Sequence, residues 1–378
     1  MQIIPVASGK GGVGKSLLSA NLAIALGQAG KRVLLADLDL GASNLHLVLG
    51  VQSPKAGIGT FLTGSTPFED AVIETSYPNV SFVPGDSEIP GLTALKAPQK
   101  ASLTKNLLKA DADYLVLDLG AGTHLGILDF FLMSNRGIVV TAPSVTATLN
   151  AYLFLKNATF RLMHGAFKKG SAAHEFLEKM KGNPGTLQRM YIPRIIDEIA
   201  KIDPESAARF RERAEAFKPR LVMNMIDDPK DADKALKIRR SCREYLNVDL
   251  EHLGVIYRDT AQDTALASRL PVIVYKPQAI LSQAVYRIAD KIIQTETDDS
   301  WVDPDFADES FQSAEMEAEI DFESKMDYVE ELVGSGALSM GDLAETIKSQ
   351  QYEISVLRKE NTLLKNKIAQ ALKQGYRL

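Results

Sequence analysis

The chain is poor in cysteine and tryptophan, with one of each, Cys242 and Trp301, in 378 residues. A single thiol excludes an intrachain disulfide and any multi-cysteine metal centre. The five histidines, at 46, 124, 164, 174 and 252, show no metal-ligand spacing, and His46 and His124 read as incidental surface residues. No apolar run has the length needed to span a bilayer. Nor is a signal peptide expected, because strand-like sequence begins at residue 3; the expected compartment is the cytoplasm. The net charge of −5 gives no reason to expect nucleic acid over the whole surface. With 45% hydrophobic and 24% charged residues, the chain can build a large soluble core with appendages.

What is present is concentrated near the start. An apolar stretch with Ile3, Ile4 and Val6 leads into Ser8-Gly9-Lys10-Gly11-Gly12-Val13-Gly14-Lys15-Ser16, followed by a helix-like run from Leu17 to Leu26. Strand, glycine-rich loop and helix in that order are the setting of a phosphate-binding loop, and G-x4-G-K-S fits its pattern. Glycines let backbone N–H groups from Gly11, Gly12, Val13 and Gly14 through Lys15, Ser16 and Leu17 close around phosphate oxygens, helped by the dipole of the helix. Lys15 is expected to reach the β- and γ-phosphates and Ser16 to ligate Mg²⁺.

Two acidic strand ends accompany the loop. Leu34-Leu35-Ala36-Asp37-Leu38-Asp39 closes an apolar run with carboxylates one residue apart, and alternation directs Asp37 and Asp39 to the same side. Leu115-Val116-Leu117-Asp118 is a buried-strand run ending in an acid, the Walker B pattern, which would bind Mg²⁺ through water.

Lys10 narrows the reading, since an ordinary phosphate loop leaves that position unconstrained. With it the sequence resembles the deviant Walker A family, K-G-G-x-G-K-[ST], of MinD- and ParA-type ATPases. Gly120-Ala121-Gly122, Asp129-Phe130-Phe131, Thr141-Ala142-Pro143-Ser144-Val145-Thr146 and Asn150-Ala151-Tyr152 resemble the FlhG-like branch most. The resemblance covers nearly all of residues 1–159 and 219–294. It implies an α/β P-loop fold, a mostly parallel sheet flanked by helices, and a Mg²⁺-dependent ATP hydrolase. By the same resemblance Lys10 crosses a dimer interface to the partner's nucleotide, Asp39 orients the attacking water, and Asp37 helps hold hydrated Mg²⁺. Family members with an iron–sulfur cluster hold it on shared cysteines, which this chain lacks. FlhG proteins carry an activating peptide before the first strand; this chain starts at the strand, so stimulation of a GTPase partner is not expected.

Base recognition falls, by resemblance, to Asn224 at the end of Arg220-Leu221-Val222-Met223, and to the loop after Gly254-Val255-Ile256-Tyr257, where Tyr257 stands in place of a common proline. An Asn amide can pair with adenine's N6 and N7 edge. Met225 replaces the lysine of a guanine-reading N-K-x-D, which favours ATP over GTP.

Alternating strands and helices point to a parallel sheet. Expected strands are Ile3–Ala7, Arg32–Ala36, Val80–Pro84, Tyr114–Asp118, Gly137–Thr141, Pro219–Asn224, Leu253–Tyr257 and Pro271–Tyr275. Residues 1–294 read as the ATPase domain, with a helical insertion over 160–218 where Lys and Arg outnumber Asp and Glu by 12 to 8. Residues 295–335 read as an acidic linker without a stable core, since Glu296–Glu331 holds 15 acids against Lys325 alone. Over 336–378, Met340, Ile347, Ile354, Asn361 and Ile368 alternate with Leu343, Gln350, Leu357, Leu364 and Ala371. Isoleucine at a, leucine at d and one asparagine at a predict a parallel two-stranded coiled coil.

The resemblance implies a slow, ATP-driven dimerisation switch that positions a flagellum or another polar structure. The expected partners are a second copy, through the ATP sandwich and the coiled coil, and a protein cargo or activator. A ParA-like DNA-associated partitioning ATPase and a coiled-coil scaffold with a vestigial nucleotide site are the alternatives. Nonspecific DNA contact, through the basic insertion, and peripheral membrane contact both stay open.

Overall fold

The computed structural model describes residues 1–41, 43–52, 56–85, 95–181, 191–295 and 304–334, with Gly341, Lys348 and Gln351 singly. Among the described residues, eight strands form one sheet: β1 Gln2–Ser8, β2 Val33–Leu38, β3 Ile73–Glu74, β4 Val80–Val83, β5 Tyr114–Ala121, β6 Ile138–Thr141, β7 Arg220–Ile226 and β8 Glu251–Tyr257. Their spatial order is β3-β4-β2-β5-β1-β6-β7-β8. All pairings are parallel except β3 with β4.

Near-continuous apolar runs bury the parallel strands on both faces, while the short antiparallel β3 at one edge is partly exposed. Val33 and Leu35 join the core on one face, and Leu34 and Ala36 the core on the other. Helices α1 Lys15–Gln28 and α13 Ile280–Gln294 cover the first face. The second face is covered by α4 Ala97–Leu107, α5 Leu125–Phe131, α6 Val145–Ala166 and α10 Asp233–Leu246. Residues 160–218 supply the end of α6 and then α7 Ala172–Lys181, α8 Ile192–Ile202 and α9 Pro204–Ala216. Leu177, Ile195, Ile199 and Phe210 from these helices join the same core as the sheet. Short helices α2 Leu45–Val48, α3 Ile58–Leu62 and α11 Ala261–Ala267 lie in the loops.

Two expectations are corrected. Pro271–Tyr275 is not a strand: Val272–Tyr275 is a helical turn, α12. Its β-branched composition suggested a strand, but the Asn21 carboxamide accepts from Ile273 N, and Ser282 Oγ donates to Val272 O and Lys276 O. These side chains hold a turn that local propensity alone would not favour. The acidic stretch also departs from expectation, since Pro304–Gly334 is one helix, α14. Its Phe311, Ala314 and Ala318 are buried in the core, and Asp308, Glu317 and Asp321 meet Arg239, Lys291 and Arg287. Basic partners on the body absorb the charge that was expected to keep the stretch apart. The predicted coiled coil, apart from Gly341, Lys348 and Gln351, lies outside the described residues.

Contacts separate the chain into Met1–Phe322 and Glu323–Leu378. The site lies within the first unit.

Candidate nucleotide site

The loop between β1 and α1 runs along the carboxyl edge of the sheet, where ligands bind in such folds. Gly14 occupies the left-handed region at φ 83° and immediately precedes α1. A Cβ there would stand 2.2 Å from Asn224 Nδ2, and one on Gly9 would stand 2.0 Å from Asn150 O. The glycines are therefore demanded by close approach on two sides.

Lys15 folds inward to 7% exposure. Its Nζ donates to Asp118 Oδ1 at 2.9 Å and to Ser16 Oγ at 3.2 Å. Ser19 Oγ donates to the same carboxylate oxygen at 2.9 Å. Asp118 Oδ2 is buried with no hydrogen-bond partner, as are Ser8 Oγ and Thr141 Oγ1. Unsatisfied groups of this kind are costly and mark places where a ligand, ion or water completes the bonding.

Asp37 and Asp118 lie side by side in the β2–β5 register. Burial, and next the neighbouring Asp118 charge, raise the Asp37 carboxyl to about 7. Ser43 Oγ at 2.7 Å and the N–H groups of Asp39 and Leu45 donate to Asp37 and oppose that rise. Asp39 is half-buried, and a Cβ on Gly120 would stand 3.2 Å from its Oδ1. The start of α1 thus brings a lysine and a serine together with two buried acids from β2 and β5, with a third acid, Asp39, after β2. This donor set suits a phosphate chain with a hydrated divalent cation: an ammonium for the anion, a hydroxyl and carboxylates for the metal.

Lys10 points away from that cluster. It is exposed, and Nζ donates to Thr146 Oγ1 at 3.0 Å at the start of α6. Along the same helix Val145, Leu149 and Leu153 are 82%, 55% and 37% exposed. Spacing of four residues makes them one apolar stripe.

Next to the loop is a cavity lined by Gly14, Leu17, Asn224, Met225, Tyr257 and Arg258, among others. Asn224 Nδ2 donates to Val13 O at 2.8 Å, so this amide braces the loop as well as facing the cavity. A bulge makes that possible: Met225 has φ 59°, and its N–H donates to Asn224 Oδ1. Positive φ at a long side chain is uncommon and tends to occur at functional sites. Tyr257 borders the cavity, but its hydroxyl donates to Ala318 O of α14 at 2.7 Å.

Sequence reasoning missed Ser19, Ser43 and Thr146. Ser19 had a signal, because four residues after Lys15 it shares that residue's helix face. Ser43 had none, since its role depends on loop closure; Thr146 stood in the FlhG-like segment with no role assigned to it.

A model of the CobQ/CobB/MinD/ParA nucleotide binding domain matches residues 4–351. The flagellum site-determining protein YlxH of Helicobacter pylori is 33% identical over 205 residues, which are 50% of this chain and 68% of that protein. The antiactivator FleN of Pseudomonas aeruginosa is 32% identical over 158 residues, 41% of this chain and 56% of the relative, so the match spans little more than half of FleN's length. In fold, the chain is similar to the septum site-determining protein MinD complexed with Mg-ADP from Pyrococcus horikoshii. That likeness has a TM-score of 0.51 at 22% identity and covers 80% of this chain and 99% of the other. Among the described residues, no helix is long and apolar enough to cross a membrane.

Proposed function

The chain belongs to the CobQ/CobB/MinD/ParA nucleotide-binding family, and on that premise we propose that it is a Mg²⁺-dependent ATPase whose triphosphate form closes face to face with a second copy. The supporting observation is the exposed Lys10 beside the apolar stripe of Val145, Leu149 and Leu153. A lysine at the mouth of the phosphate loop, next to an uncovered apolar helix face, suits a surface that another chain covers. Across that surface Lys10 reaches the partner's phosphates.

Within one chain, Lys15 leaves Asp118 to bind the β- and γ-phosphates. Ser16, with Asp37 and Asp118, would hold the hydrated metal, which would supply neutralisation of the phosphate charge. Asp39 orients water for in-line attack. The chain contributes placement and charge compensation, the main demands of phosphoryl transfer. Asn224 and the walls around Met225 receive the adenine.

The biological reading is positioning of cell machinery, a flagellum or other polar structure. It rests on the likeness to YlxH and FleN and on the FlhG-like sequence from Gly120 to Tyr152. A coiled coil over 336–378 would keep two copies at high effective concentration, so that ATP closes a preassembled pair.

Lys10→Ala tests the paired arrangement. The variant should retain ATP binding while turnover falls by at least roughly tenfold, the scale expected for a lost charge contact in the transition state. Asp39→Ala should bind ATP and hydrolyse it at background rate. Wild-type turnover in Lys10→Ala would end the face-to-face reading, and wild-type turnover in Asp39→Ala would end the assignment of the water-orienting acid.

A further inference from the structure

Away from the phosphate loop, the described residues bring His164, His174 and Glu178 together. Their spacing in sequence gave no hint of this, because the fold makes the cluster. His164 lies in the last turn of α6, and His174 and Glu178 lie one turn apart on α7. Between the helices the chain reverses through Gly170, at φ 78° in the left-handed region. The reversal lays the start of α7 against the end of α6.

The distances suit a metal. One donor atom from each residue can be chosen so that all three lie within 4.8 Å of one another. His164 Nε2 is 3.4 Å from Glu178 Oε1, and the two imidazole centroids are 5.5 Å apart. Two donors about 2.1 Å from one zinc ion, at a tetrahedral angle, stand about 3.4 Å apart. The His–Glu pair already has that separation. A side-chain rotation at half-buried His174 or exposed Glu178 brings the third donor in.

The backbone under the donors is fixed. Arg213 donates to Gly165 O at 2.9 Å and Arg209 Nε to Ala166 O at 3.3 Å, which holds the end of α6. Ser171 Oγ accepts from His174 N at 3.2 Å, and Asp203 from Ala173 N at 3.4 Å, which hold the start of α7. On α7 the apolar Ala173 and Leu177 are buried, while the neighbouring His174 and Glu178 lie toward His164. Such preorganisation is what separates a binding constellation from a chance cluster.

We propose that His164, His174 and Glu178 bind one zinc-class divalent ion that ties α7 to α6. Two imidazoles and a carboxylate form a three-donor set that leaves a fourth position for water or another ligand. The site is separate from the Mg²⁺ proposed at the phosphate loop. Its hard oxygen donors differ from the imidazoles here, so the two ions are chemically sorted.

The test uses the full chain, cleared of metal with a chelator and kept in excess Mg²⁺, titrated with Co²⁺ and then Zn²⁺. One Co²⁺ per chain should bind, with the visible absorption of a four-coordinate ion, and Zn²⁺ should displace it. Zn²⁺ should also raise the melting temperature, because it binds the folded state. His174→Ala and Glu178→Gln should each weaken uptake by at least roughly tenfold, with circular dichroism confirming that the variants fold. The absence of saturable Co²⁺ uptake would overturn the proposal and leave the trio as an ion pair with a neighbouring imidazole. Uptake that both substitutions leave unchanged would overturn it equally.

Discussion

The phosphate-loop edge and the surface under α14 both bury polar groups, but they treat them differently. At the loop edge, Asp37 and Asp118 lie side by side, and Asp118 Oδ2, Ser8 Oγ and Thr141 Oγ1 have no partner. Under α14, Tyr257 OH meets Ala318 O, His252 N meets Ser310 Oγ, and Arg287 and Lys291 meet Asp321 and Glu317. The first region holds electrostatic tension that a charged ligand relieves. The second pairs its charges acid on base within the chain, although the His252 ring nitrogens and Arg287 Nε are buried without partners. Two buried acids set side by side are therefore a better guide to function here than unmatched burial as such.

The largest effect is expected at Phe311, which packs on the His252 ring and lies under the Arg239 guanidinium. Phe311→Ala should cost about 3–5 kcal/mol of stability, read by denaturant unfolding, while the folded fraction keeps its nucleotide affinity within about twofold. A much larger loss of affinity would mean that the two regions are not independent.

Next come opposite responses to pH. The Asp37 carboxyl is raised from 3.8 to about 7, so the folded protein retains a proton that the unfolded chain has given up. Its contribution is full below about pH 4 and declines as pH rises to about 7. His252 is lowered from 6.5 to about 3 by burial and then by the Lys291 charge. Below pH 6.5 the unfolded chain takes up a proton that the folded one refuses, so stability falls as pH drops toward 3. Each slope is on the order of 1 kcal/mol per pH unit. The two oppose one another between about pH 4 and 6.5, so in the metal-free protein His252→Leu should make stability fall more steeply as pH rises through that window, and Asp37→Asn should make it rise. Unchanged slopes in either variant would remove that group from the account.

The smallest change is Tyr257→Phe. Loss of the hydrogen bond to Ala318 O should cost about 1 kcal/mol and leave nucleotide affinity unchanged. A clear fall in affinity in a calorimetric titration would return the Tyr257 hydroxyl to the nucleotide site.

Much of the loop edge could be read from the sequence because its chemistry is local. Gly14, Lys15 and Ser16 follow one another, and Asp37 and Asp118 end apolar runs that could only be buried strands. The bulge at Met225 was not legible, since its positive φ reflects how Asn224 reaches back to Val13. α12 was misread because Val272, Ile273 and Val274 have strand-like composition, and the contact from Asn21 comes from far along the chain. α14 was misread for a related reason. Composition registers the acids of 304–334 but not the arginines and lysine that face them. The His164–His174–Glu178 group required a chain reversal that spacing does not reveal.

Ser310 has a wider consequence. β8 ends one side of the sheet, and its outward His252 amide is occupied by a helix side chain. An open strand border invites another polypeptide to add itself on, the first step toward self-assembly into fibres. By closing part of that border, a segment that composition marks as a mere tether acts as a guard against runaway stacking of the molecule on itself.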